Sequence, residues 1–74
     1  MEKKNSGSSV YKVIELVGTS PTSFDDAVKS AVETAGKTLR DIRVGEVLKQ
    51  DVTVEKGRVK FYRARVSVSF KYAR

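Results

Sequence analysis

Arg63, Arg65, Ser67 and Ser69, with Phe61 ahead of them, fall at every second position from 61 to 69 in the stretch "VKFYRARVSVSF", residues 59–70. Strand side chains alternate between two faces, so they share one side, while Tyr62, Ala64, Val66, Val68 and Phe70 take the other. With a tight turn at Lys56-Gly57, Glu55 opposes Arg58, and Val44, Glu46, Leu48 and Gln50 of the preceding strand join the arginine side. Gly45 and Val47 then join the Tyr62 side. A three-residue loop would swap the faces and set Glu46 among apolar side chains, so the shorter loop is preferred. The arginine side is where polar groups converge. Arginines beside a glutamate and a glutamine can hold an anionic ligand. Alternatively, Glu46 pairs with the arginines across strands or between subunits, a contact of about 0.2–1 kcal/mol.

Other chemistry has little support. The sequence contains no histidine and no cysteine. That removes disulfides, thiolate metal sites, a zinc centre and the base of a serine triad. "LVGTS" lacks the glycine density of a phosphate-binding loop. An enzyme is therefore not expected. Carboxylates remain for a hard cation. One acid per chain becomes three about a three-fold axis, and Glu15, Glu46 and Asp51 are candidates for Ca²⁺ or Mg²⁺ by residue type alone. Solvated or arginine-paired acids are the simpler reading of the same three.

Charge is uneven along the 74 residues. Residues 58–74 carry Arg58, Lys60, Arg63, Arg65, Lys71 and Arg74 with no acid, which accounts for the net +6. A basic last strand raises nucleic-acid binding as an alternative. Single-strand binders need exposed aromatics, however, and Tyr62 and Phe70 fall on the core side.

The elements that must position these groups follow from pattern. Residues 1–9, "MEKKNSGSS", read as a disordered leader or an expression scar, and residues 10–74 as one domain. "VYKVIELV", residues 10–17, is a strand ending at Gly18, with Ile14 and Leu16 on one face and Tyr11, Val13 and Val17 on the other. Ser23 caps a helix from Phe24 to about Leu39, with Asp25 and Asp26 at its positive end and Lys37 and Arg40 in its last turn. Ala27, Val28, Ala31, Val32, Ala35 and Leu39 form its apolar stripe. Residues 42–54 make the second strand. The order β-α-β-β gives an α+β fold with one sheet and one helix. A strand of about fifteen residues spans roughly 50 Å, and a sixteen-residue helix roughly 24 Å. The helix cannot shelter the whole sheet, and it covers one face only. Val44, Leu48 and Phe61 argue that a second copy covers the other. No apolar run is long enough to span a membrane, and a cytoplasmic protein is the expectation.

"VYKVIELVGTSPTSFDDAV", "KTLRDIRVGEV" and "YRARVSVSFK" together resemble the dodecin family over residues 10 to about 72. The resemblance implies a three-stranded antiparallel sheet curled around one helix. It also implies assembly of twelve protomers into a hollow shell with two-fold and three-fold contacts. Members of the best-known kind hold flavins (FMN, riboflavin or FAD) in pairs near the symmetry axes and act as storage or buffering proteins. In them a Trp stands early in the second strand and a Gln follows the Tyr of the third; here those positions hold Val44 and Arg63. Glu46 matches the family's glutamate. The implied ligand residues are Val44, Gly45, Glu46, Gln50, Arg63 and Arg65. The loss of a stacking plane at Val44 implies that flavin binding is weakened or lost, with calcium binding or a purely structural dodecamer as the alternatives.

Overall fold

The computed structural model describes residues 8–72. The expectation for residues 1–9 falls mostly outside that range; Ser8, Ser9 and Val10 are exposed and lead into the first strand. Strand β1 (Tyr11–Ser20), helix α1 (Phe24–Ala35), strand β2 (Ile42–Glu55) and strand β3 (Arg58–Lys71) follow in chain order. The sheet is antiparallel in the order β1-β3-β2, so the basic third strand is its centre. Among the described residues no helix is long and apolar enough to cross a membrane.

β1 outruns its expected end at Gly18. It continues through Thr19 and Ser20, pairing Gly18 with Ala64 and Ser20 with Tyr62. The reason lies on the helix side. Ala27, Ala31 and Ala35 repeat every fourth residue and lie buried against Ala64, Val66 and Val68. Small residues on both layers let the helix settle close on the sheet, and Gly18 is where the backbones come nearest. A Cβ there would overlap the Ala27 carbonyl oxygen and stand 2.9 Å from the Ala31 Cβ. Ile14 and Leu16 pack on this core, while Val13 and Val17 look the other way, as their alternation requires.

The entry to α1 is fixed by hydrogen bonds. The Asp26 amide donates to the Ser23 hydroxyl at 3.0 Å, the expected cap. Ser20, 1% exposed, donates its hydroxyl to Asp26 Oδ2 at 2.7 Å and accepts from the Thr22 amide at 2.9 Å. The "GTSPTS" turn is thus stitched to the first helical turn from beneath. The exit differs from expectation: α1 stops at Ala35, not near Leu39, and no basic residue lies in its last turn. Gly36 is the C-cap, and carrying the helix on through it would cost about 1 kcal/mol relative to Ala. Beyond it Lys37 and Thr38 turn tightly onto the Thr34 and Ala35 carbonyls, at 3.1 Å each. Leu39 still reaches the core from this turn.

The hairpin turn is as expected. Lys56 and Gly57 both have positive φ, 53° and 78°, and Glu55 opposes Arg58. Such a turn matches the twist of its strands. The strict register does not survive beyond it. Val54 opposes Val59 but Thr53 opposes Phe61, so Lys60 is an extra residue in β3; Leu48 and Arg43 are extra residues in β2. Beyond the Ser20–Tyr62 pair β1 is absent, and β2 and β3 go on to their turn as a two-stranded ribbon. Val54 and Val59 are 64% and 50% exposed on it, and Val52, opposite Tyr62 where it begins, is 37% exposed. A twelve-residue helix, about 18 Å, lies beside a fourteen-residue strand of about 46 Å. A bare two-stranded ribbon is marginal in water.

Candidate functional site

The face turned away from α1 is ordered in cross-strand rows. From one end they read Val13–Ser69–Val44, Glu15–Ser67–Glu46, Val17–Arg65–Lys49 and Thr19–Arg63–Asp51, with the β3 residue always central. Of the expected ligand residues, Val44, Glu46, Arg63 and Arg65 stand on this face. Gln50 does not: it opposes Ala64, on the helix side. Gly45 opposes Val68 on the helix side too, where a Cβ would meet Val32 Cγ2 at 3.2 Å. The displacement of Gln50 comes from two extra residues. Counted from the turn, Lys60 in β3 shifts the register by one, so Asp51 and Lys49 replace Gln50 and Leu48 opposite the arginines, and Leu48 in β2 restores it from Val47 onward.

That exchange decides the electrostatics. Arg63 Nε and Nη2 donate to Asp51 Oδ1 and Oδ2 at 2.7 and 2.8 Å, a two-pronged pair. Arg65 Nη1 lies 3.4 Å from Glu15 Oε1. The arginines therefore find acids within the chain, but not the expected one: Glu46 forms no ion pair among the described residues. The hydrogen bond from Arg63 holds the Asp51 carboxyl below the ordinary aspartate range, and Asp51 in turn raises the Arg63 guanidinium. A carboxyl lowered on folding favours the folded state above its unfolded pKa and loses that contribution as pH falls through the folded value. Both groups are exposed, so the effect on stability is small. In an acid titration followed by side-chain carboxyl NMR, the Asp51 midpoint should lie below the ordinary aspartate range. In Arg63→Gln it should rise toward that range; an unchanged midpoint would mean the pair does not form in solution.

Val17, Lys49, Asp51, Arg63 and Arg65 line an open depression of about 160 Å³. Lys49 was not legible as a member of this group from a strict alternation. A signal does exist: Val47 is odd-numbered, Val52 and Val54 are even-numbered, and all three stand on the helix side. One inserted residue between them is required.

The carboxylates named for a cation do not gather. Among the described residues no three acids lie close enough together to hold a metal. Glu15 and Glu46 flank Ser67 from opposite strands, two strand spacings or about 10 Å apart. Val44 and Arg63, the two positions tied to a flavin ring by the sequence resemblance, are separated as well. Their β3 rows, at Ser69 and Arg63, are six residues or about 20 Å apart. One ring cannot touch both in one chain.

A family model described as Dodecin matches residues 10–73. The chain is 48% identical over 63 residues to the calcium dodecin of Mycobacterium tuberculosis, covering 85% of this chain and 89% of that one. A solved M. tuberculosis calcium dodecin, described as calcium chelating with a novel calcium-binding site, superposes with a TM-score of 0.78 at 47% identity, covering 88% and 93%. The dodecin of Thermus thermophilus is 39% identical over 62 residues, 84% of this chain and 90% of the relative. The dodecin structure from Streptomyces coelicolor gives a TM-score of 0.85 at 35% identity, covering 89% and 94%.

Proposed function

The chain belongs to the dodecin family, and we propose that it works as a self-assembling small-ligand binding and storage protein whose ligand sites lie between copies. The observation that carries this reading is the separation of Val44 from Arg63 on one face. Ring and edge contacts can converge only if different chains supply them. The bare Val52, Val54 and Val59 of the hairpin end, and the exposed Val13, Val17 and Val44 of the outer face, support it. Each is an apolar surface that a second copy would cover. The assembly is a homododecamer, and its role is binding in the cytoplasm, not catalysis. Flavin remains the family ligand, but held weakly. Val44 offers no stacking plane, and Arg63 can donate to a ring edge but not accept from it.

A second reading is favoured by the similarity to calcium dodecin. With no cluster of three acids within the described residues, a Ca²⁺ site would have to be completed across a symmetry axis. Glu46 suits that role best, since Arg63 occupies Asp51 and Arg65 lies against Glu15. Three copies of Glu46 with waters give the oxygen ligands the ion prefers.

Native mass spectrometry tests the premise of both readings. The expected species has twelve times the 8.2 kDa chain mass. A folded monomer at micromolar concentration would sink the proposal, because the flavin and calcium sites of both readings are completed only by neighbouring chains.

A further inference from the structure

The shifted register between the extra residues Lys60 and Leu48 creates an unusual pair. It sets Lys49 directly opposite Arg65, two cations on adjacent strands pointing to the same face. Like charges directly opposed in an antiparallel pair destabilise it, and Arg63 adds a third cation in the next row. Nearby acids offset the conflict only in part. The Asp51 carboxylate feels Lys49 and Arg65 but hydrogen-bonds Arg63 through both oxygens, and Glu15 approaches Arg65 from the β1 side, away from Lys49. Val17 and Thr19, the β1 neighbours in these rows, bring no charge. Lys49 has no ion-pair partner among the described residues.

We propose that the depression over Lys49, Arg63 and Arg65 is an oxyanion site, and that its ligand is a phosphate group. The volume of about 160 Å³ holds such a group with some of its water. The free donors decide its shape. Asp51 takes one hydrogen each from Nε and Nη2 of Arg63, which leaves the Nη1–Nη2 edge; Arg65 keeps its Nε–Nη2 edge, and Lys49 adds a point charge with three donors. Donors converging from three side chains suit a tetrahedral oxyanion, whose oxygens point in several directions, and a phosphate's near-double charge offsets more of the cluster than a carboxylate's single one. A phosphate here removes the Lys49–Arg65 repulsion, so binding and strand pairing reinforce each other. The inference deepens the small-ligand reading of this face and rests on it.

The test uses the assembled protein in phosphate-free, low-salt buffer, with inorganic phosphate as the probe and chloride at matched ionic strength as the control. Phosphate should raise the Tm of the wild type where chloride does not, and calorimetric titration should give saturable binding. Lys49→Gln should bind phosphate about tenfold more weakly. Lys49→Glu should abolish binding yet raise the phosphate-free Tm, because an opposite-charge pair replaces a like-charge one. A residue that only supported the fold would lower Tm in both variants. No phosphate response in the wild type, or equal binding by Lys49→Glu, overturns the site. Riboflavin and calcium titrations of the same samples separate the two levels. Either ligand binding without phosphate refutes the oxyanion site alone, and silence from all three refutes the small-ligand reading with it.

Discussion

Gly18→Ala should leave little assembled protein. The added Cβ would meet the Ala27 carbonyl oxygen, a backbone atom that no rotamer change can move, with the Ala31 Cβ at 2.9 Å behind it. Overpacking a core commonly costs about 1–3 kcal/mol, and a backbone obstacle places this change at or above the top of that range. For a chain this short, about 3 kcal/mol corresponds to a fall in Tm of roughly 12–24 °C. The helix cannot escape by lifting, since Ala27, Ala31 and Ala35 supply its buried face on β3. Gly45→Ala provides the contrast. There the nearest atom is a Val32 methyl at 3.2 Å, on a side chain at the edge of the packed layer. Thermal melts and native mass spectrometry of the two variants should therefore diverge, with Gly18→Ala much the worse. Similar melts would mean that the helix does not sit as close to β1 as the packing requires.

The same close approach explains what the sequence could reveal. The order of elements, the Ser23 cap, the Lys56-Gly57 turn and the division of β1 into two apolar faces each depend on a residue and its immediate neighbours. Those features are local, and they were legible. The far end of β1 was not, because a glycine reads as a stop unless one knows that a helix lies over it. The end of α1 was misplaced for the opposite reason. Leu39 continues the apolar spacing and does reach the core, but from a turn instead of a helix. The arginine face was the most exposed to error. An extra residue at Lys60, offset only at Leu48, exchanged Gln50 for Asp51 and Leu48 for Lys49, so an expected hydrogen-bonding site became an ion pair beside a cation cluster. Strand register carries its errors along the chain, and one bulge changes every neighbour until a second bulge restores the pairing. The parity of Val47 against Val52 and Val54 held the necessary information, though not which residue would be the extra one.

Val44→Trp should raise flavin affinity by about tenfold to a hundredfold, the worth of one stacking aromatic, and deepen the quenching of riboflavin fluorescence on titration. The position can accept an indole. Val44 is 54% exposed, on the face away from α1, with only Ser69 between it and Val13 on the far strand. A Trp that assembles like the wild type but gains no affinity would mean the ring does not bind at this position. Arg63→Gln, which restores an acceptor, tests whether the site lies between chains. Within one chain the two positions are about 20 Å apart and should act independently, their effects on affinity simply adding. If they meet on one ring across an interface, the double variant should depart from additivity by more than about 0.5 kcal/mol. Coupling together with the gain at Val44 supports a ligand held by two copies at once. Additive effects would put the arginine outside the ring site and leave Val44 to act there without it.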